Sequence, residues 1–258
     1  MQTLRFEHLA KTATLFAVKI SVIIPAFNEE KLLGETLAQI KLASGAFSQI
    51  GWESELIVCD NNSNDRTAEI ARAAGATVVF EPVNQISRAR NAGAAAATGD
   101  WLVFVDADSR PSTELFTDMA KEIQSGTCFA GGATICWDRE NFLTALMMPI
   151  LNVGFRWRRF LHGPFMFIES ATFRKLGGFS LETFSGEDWE LGGRLQKLVK
   201  ETGKRFVILH RHPILTSARR LKEHSPLVSF KMLYYILFVP RRIKVSRETA
   251  RRWYDGRK

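Results

Sequence analysis

The chain has 258 residues, 46% of them apolar and 24% charged, with a formal net charge of +8. That composition excludes a disordered chain and suits one large domain or two small ones. No apolar run reaches the roughly 18 residues that span a bilayer. In chain order, residues 1–18 carry scattered charges and no apolar core before a small-residue cleavage site, so they read as an extension, not a secretory signal. Ile20–Pro25 reads as a buried strand and Glu29–Leu42 as an amphipathic helix. Glu55–Asp60 is a second strand, Asp65–Ala74 a second helix and Ala76–Phe80 a third strand. Ile86–Ala97 is a third helix, and Trp101–Asp106 is a fourth strand.

Strands separated by helices of about ten residues imply βαβ units. The expected fold class is therefore α/β, with a mainly parallel central sheet flanked by helices. Beyond about residue 125 the pattern loosens. An apolar stretch, Phe142–Phe155, runs into Arg156-Trp157-Arg158-Arg159, and a helical run ends near Lys200. Phe206–Leu209 reads as a strand, and Leu227–Val239 is apolar but too short to span a membrane.

The positive charge is uneven. Arg211–Lys258 holds 13 basic and 3 acidic residues, whereas residues 1–210 hold 22 basic and 24 acidic. The body is nearly neutral and the tail is +10, which suits an anionic surface or a phosphorylated ligand. No recognised nucleic-acid-binding motif accompanies that charge, so no nucleic acid is expected as a partner. Cys59, Cys128 and Cys136 form no CxxC pair, which argues against a zinc knuckle or a disulfide scaffold and for a reducing compartment.

Open α/β sheets bind ligands beyond the carboxyl ends of their strands. Here those ends carry Pro25–Glu29, Asp60–Asp65 and Asp106–Arg110. In Asp106-Ala107-Asp108 the two carboxylates lie two residues apart, so both approach one point. Such hard oxygen donors suit Mg2+ or Mn2+, with phosphate oxygens and water completing the shell. Asp60 ends its strand where it can accept hydrogen bonds from a base or a ribose, and Ser63 or Asn64 is the expected cap of the next helix. Glu187 and Asp188 stand at a helix start, which favours acids.

Together, Pro25–Glu30 (PAFNEE), Asp60–Thr67 (DNNSNDRT), Ala89–Gly93 (ARNAG) with Thr98-Gly99-Asp100, and Asp106-Ala107-Asp108 resemble the successive motifs of family 2 glycosyltransferases. Gly177-Gly178-Phe179 followed by Gly186-Glu187-Asp188 resembles that family's acceptor-side signature. The resemblance covers about residues 19–220, in order. It implies a GT-A fold, a nucleotide-diphospho-sugar donor such as a UDP- or GDP-sugar, a divalent metal (Mn2+ or Mg2+), and inversion at the anomeric carbon. On that resemblance Pro25, Phe27 and Glu29 border the nucleoside and Asp60 contacts the base. Arg90 lies near the donor phosphates or orders the nucleotide loop. Asp106, with Ala107 beside it, faces the ribose and the metal, Asp108 coordinates the metal, and Asp188 is the general base.

His210 and His212 fall on one side of a possible strand, and His212 is a candidate metal ligand because some related GT-A enzymes use a late histidine. One of Arg219 and Arg220 is placed to reach the diphosphate, and His162-Gly163-Pro164 falls where an acceptor approaches. There is no QxxRW sequence, which argues against a processive synthase. Phe142–Arg159 and Leu227–Arg242 both set apolar side chains beside arginines, as suits a lipid interface. The expected organisation is an extension (1–18), a GT-A domain (19–220) and a basic amphipathic extension (221–258). The expected setting is cytoplasmic, at the inner face of the cell membrane, with a sugar or a lipid-linked acceptor. The alternatives are a retaining transferase, a sugar nucleotidyltransferase, although PAFNEE is not the Gly-rich loop of those enzymes, and a non-catalytic sugar-nucleotide-binding adaptor.

Overall fold

In a computed structural model, residues 18–138, 142–184 and 186–219 are described. The expected extensions at 1–18 and 221–258 lie outside them, apart from Val18. Eight strands form one sheet in the order β3-β2-β1-β4-β7-β6-β8-β5. The first four are β1 (Lys19–Ala26), β2 (Glu53–Asp60), β3 (Thr77–Phe80) and β4 (Trp101–Val105), all parallel. They alternate with α1 (Leu33–Ser48), α2 (Thr67–Ala73) and α3 (Ile86–Ala96), as right-handed βαβ crossovers require.

The second half is mixed rather than parallel. β7 (Phe165–Glu169) runs antiparallel to both β4 and β6 (Cys128–Trp137), whereas β8 (Arg205–Thr216) runs parallel to β6. The two-residue β5 (Ser109–Arg110) pairs antiparallel with the end of β8. β8 is longer than the expected Phe206–Leu209, because an irregularity in register lets it follow β6 along its length. The remaining helices are α4 (Thr113–Gln124), α5 (Phe142–Arg158), α6 (Ser170–Lys175) and α7 (Glu187–Thr202).

Alternation along the central strands divides the core into two layers. Ile20, Val22, Ile24, Val103, Val105, Phe165 and Phe167 pack with α1 and α4 on one face. Ile23, Leu102, Phe104, Met166 and Ile168 pack with Leu191 and Leu195 of α7 on the other. α1 starts four residues later than expected, because the Glu29 carbonyl accepts from the amides of Leu32 and Leu33 in a preceding turn. It continues to Ser48 because Ala43, Ala46 and Phe47 extend its buried stripe, and Phe47 stacks on Phe116 with centroids 4.9 Å apart.

Two glycines of the recognised motifs are packing residues. A Cβ on Gly93 would lie 2.5 Å from Ile23, so α3 sits directly on β1. A Cβ on Gly99 would lie 2.5 Å from the Ser21 hydroxyl, which accepts the Gly99 amide and donates to Glu55. Thus Thr98-Gly99-Asp100 locks the β4 entry to β1, with Asp100 accepting the Lys19 amide at 2.9 Å.

Candidate active site

The carboxyl ends of β1, β2 and β4 open into one crevice, and its loops are tied to each other. The Asn28 amide donates to the Ser63 hydroxyl at 3.0 Å, and the Asn64 amide donates to Asn28 Oδ1 at 3.0 Å. The Glu29 amide donates to Thr67 Oγ1 at 2.8 Å. Ser63 and Asn64 therefore hold the first loop instead of capping α2. Arg66 precedes α2 without a side-chain cap bond, and the Asp65 carboxylate before it accepts the Thr67 amide at 2.9 Å. Asn61 accepts the Gln85 amide and donates to the carbonyls of Glu81 and Val83. Gln85 in turn donates to the carbonyls of Leu181 and Thr183, which carries the stitching across to the loop before α7.

At the centre lies Arg90 of α3, 1% exposed. Its Nη1 donates to Glu187 at 2.6 Å, and its Nη2 donates to Asp106 at 2.9 Å and to the Gly163 carbonyl at 3.4 Å. The Phe179 ring lies 5.3 Å from the guanidinium carbon. Phe179 is held there by Asn91, which accepts its amide and donates to its carbonyl, both at 2.9 Å. Gly178, at φ 73°, could not carry a Cβ without meeting Asn91 at 2.6 Å. The GGF run is thus clamped onto the ARNAG run, a pairing that neither segment announces alone. Burial by itself would lower the Arg90 pKa, but Asp106, Glu187 and Asp188 raise it, so the group stays charged.

Asp188 stands at the start of α7 beside buried Glu187, after Gly186 in a left-handed turn. One carboxylate oxygen accepts the Gly163 amide and the other the Trp189 amide, each at 2.8 Å. The residue is half-buried by exposed area, while its carboxyl is densely surrounded by protein. That desolvation, then the Glu187 charge, pushes the Asp188 carboxyl up to about 7 against the pull of Arg90. A carboxylate in that range can take a proton at neutral pH.

The second arginine is Arg219, just past β8. It pairs with Glu29, and its Nη2 lies 3.3 Å from Asp108 Oδ2. The Ser217 amide donates to the Asp108 carbonyl at 3.1 Å, so the end of β8 is fixed against the DxD. Each carboxylate of that motif therefore faces its own guanidinium. Among the described residues, no group of three or more His, Cys, Asp or Glu side chains forms a metal-ligating cluster. Asp106 and Asp108, following β4, are hard oxygen donors of the kind that suit Mg2+ or Mn2+.

A model of the family described as glycosyl transferase family 2 matches residues 21–181, more than half of the sequence. The chain belongs to glycosyl transferase family 2. It is 42% identical over 102 residues to the 4,4'-diaponeurosporenoate glycosyltransferase of Staphylococcus haemolyticus, covering 37% of this chain and only 25% of that protein. It is 25% identical over 236 residues to an uncharacterized Methanocaldococcus jannaschii protein, MJ1222, covering 85% of this chain and 91% of that one. The fold is GT-A. It superposes on the mannosyltransferase PcManGT from Pyrobaculum calidifontis, solved with GDP-Man and Mn2+, with a TM-score of 0.64 and 18% identity, covering 94% of this chain and 80% of that one.

Within this family 2 domain, the structure gathers most of the residues singled out in the sequence. Phe27 and Glu29 follow β1, Asp60 ends β2, where Oδ1 accepts the Ser63 amide at 3.1 Å, and Asp106 follows β4. Pro25 is buried within β1 and Ala107 is 4% exposed, so both shape the wall. Arg90, expected near the donor phosphates or ordering the nucleotide loop, directs its two terminal nitrogens to Glu187, Asp106 and the Gly163 carbonyl. His212 is not brought to the DxD. Its Nδ1 lies 2.9 Å from Asp118 on α4, four strand residues from Thr216, or about 13 Å along β8. The sequence reading missed the role of the Gly163 backbone. A Cβ there would lie 2.9 Å from Arg90 Nη2, 3.5 Å from Asp106 and 3.6 Å from Asp188. It is the absence of a side chain at this position that lets the three groups converge.

Proposed function

We propose that this family 2 transferase moves a sugar from a UDP- or GDP-sugar to a lipid-linked acceptor, with inversion and with Asp188 as general base. The observation that carries the reading is the half-buried Asp188 carboxylate, raised to about 7, sharing one polar centre with Arg90 and the first residue of the DxD. In an inverting displacement the base takes the acceptor proton as its oxygen attacks opposite the leaving diphosphate. Asp188 is fixed for this by two backbone amides, and Glu187 keeps its proton affinity high.

Phe27, Glu29 and Asp60 line the nucleoside end, and Asp106 and Asp108 would hold Mn2+ or Mg2+. When bound, that cation neutralises charge developing on the departing diphosphate. Arg219 pairs with Glu29 and Asp108 at the same end, and it would supply a second positive group to the departing diphosphate. The neighbour solved with GDP-Man and Mn2+ supports the donor and metal assignments.

We assign the acceptor to lipid because the acceptor-side loop follows an apolar helix and the tail is strongly basic, which suits the inner face of the cell membrane. No helix among the described residues is long and apolar enough to cross a membrane. The test is calorimetric binding of UDP, GDP and their sugar conjugates with Mn2+ or Mg2+ and again with EDTA, on the wild type and Asp108→Ala. Metal-dependent binding of one nucleotide, lost in the variant, is expected. A folded protein that binds none of them would overturn the reading.

A further inference from the structure

The helix that delivers the acceptor loop is buried on one side only. Met147, Met148, Leu151 and Phe155 of α5 face the interior, and Asn152 bonds both the amide and the carbonyl of Ile135 on β6. The opposite side carries Leu146, Ile150, Val153 and Trp157, which are 60%, 55%, 63% and 75% exposed. At 100° per residue these four fall within one narrow arc, a stripe about 17 Å long on a helix that has Pro149 in its interior. They are half of the large apolar side chains exposed among the described residues, so this is a patch and not ordinary scatter.

Its chemistry is specific. No acidic residue occurs between Asn141 and Ile168, while Arg156, Arg158 and Arg159 gather at the Trp157 end. Apolar side chains ending in tryptophan and arginine match an anionic lipid interface, where the ring and the guanidinium stems lie at headgroup depth. A second copy of the chain is a poorer occupant. Four side chains offer on the order of 500 Å2, short of the roughly 800 Å2 per partner of a stable interface.

We infer that the exposed face of α5 lies on the surface of an anionic bilayer and sets the catalytic crevice at the headgroups. This deepens the lipid-acceptor reading and rests on it for its purpose. Continuity with the site supports it, because five residues after α5 ends the Gly163 amide holds Asp188. An acceptor headgroup at the Trp157 end therefore meets the loop that positions the base.

The test is flotation of the full chain with phosphatidylcholine vesicles, with and without phosphatidylglycerol, comparing the wild type with Ile150→Glu/Val153→Glu. That variant leaves every basic residue in place, including those of the tail. The wild type is expected to bind the anionic vesicles, and the variant to partition at least tenfold less with an unchanged melting temperature. Equal binding by both proteins would assign the contact to the tail, and no binding by the wild type would remove the contact; either overturns the inference. So would a wild-type dimer that the variant dissociates, or a variant that melts several degrees lower, since the stripe would then pack against protein. No donor or acceptor is present, so failure here is separate from failure of the nucleotide titration.

Discussion

Replacing Arg90 with methionine removes the single cation from a buried centre of three carboxylates. Asp106 and Glu187 each lose a charged hydrogen bond, and breaking one partner of a buried ion pair costs about 3–5 kcal/mol. That is a large share of the about 5–15 kcal/mol that holds a domain folded. The proton chemistry changes too. The position that a Gly163 Cβ would take is 2.9 Å from Arg90 Nη2 and 3.6 Å from Asp188 Oδ2. Those two atoms are therefore within about 6.5 Å, where unit charges at an effective dielectric of about 20 attract by about 2.5 kcal/mol. Losing that attraction moves the Asp188 carboxyl further up, because Arg90 is the charge that pulls it down.

The sign follows from linkage. Carboxylates whose folded pKa is raised stabilise the fold only at low pH and lose that contribution as pH rises through the folded value. Urea unfolding of Arg90→Met should therefore show its largest deficit above pH 7 and a smaller one near pH 5. The acid limb of donor turnover should move upward, and Arg90→Lys, which keeps the charge, should lie between. A variant within about 1 kcal/mol of wild type at pH 7 with an unmoved acid limb would refute the keystone role of Arg90.

Two further substitutions test the loop before β7. Gly163→Ala should cut turnover by about 10- to 100-fold and shift its acid limb, with nucleotide affinity retained, because its methyl must displace the Arg90 guanidinium; equal turnover at all pH values would contradict the convergence argument. His162 is buried against the rings of Phe155 and Phe160, its Nε2 has no partner among the described residues, and desolvation pushes its pKa down to about 3. Its neutral form therefore costs stability as pH falls from about 6.5 toward 3, and at pH 5 this amounts to about 2 kcal/mol. His162→Leu should unfold at a lower pH than wild type in an acid titration followed by circular dichroism, and an unchanged midpoint would place a charged partner near the ring.

The N-terminal half was legible because buried parallel strands such as Ile20–Pro25 are continuous apolar runs, and the helices between them keep a clear period. The site loops were legible because open α/β sheets bind ligands beyond the carboxyl ends of their strands, although Asn28, Asn61 and Ser63 there tie the loops to one another. What was hidden depends on distance in the chain. Asn91 clamping Phe179, Gln85 holding Leu181 and Thr183, and Arg90 spanning Asp106 and Glu187 all join residues whose partners no local pattern names. The resemblance puts Arg90 near the donor phosphates or the nucleotide loop, but its burial and its pairing with both Asp106 and Glu187 have no local signal in the sequence. α5 read as an apolar segment beside arginines, and the structure buries one of its faces and exposes the other. The signal that could have found Gly163 is slight, a glycine before a proline at the mouth of an apolar strand.

Asp188 as the general base is tested most directly by Asp188→Asn, with nucleoside diphosphate release from the sugar donor and donor binding measured on the same protein. The account predicts that turnover falls by about 10²- to 10⁴-fold while donor affinity stays unchanged, and that wild-type turnover declines below about pH 7. A variant that turns over the donor at the wild-type rate, with the same acid limb, would contradict it.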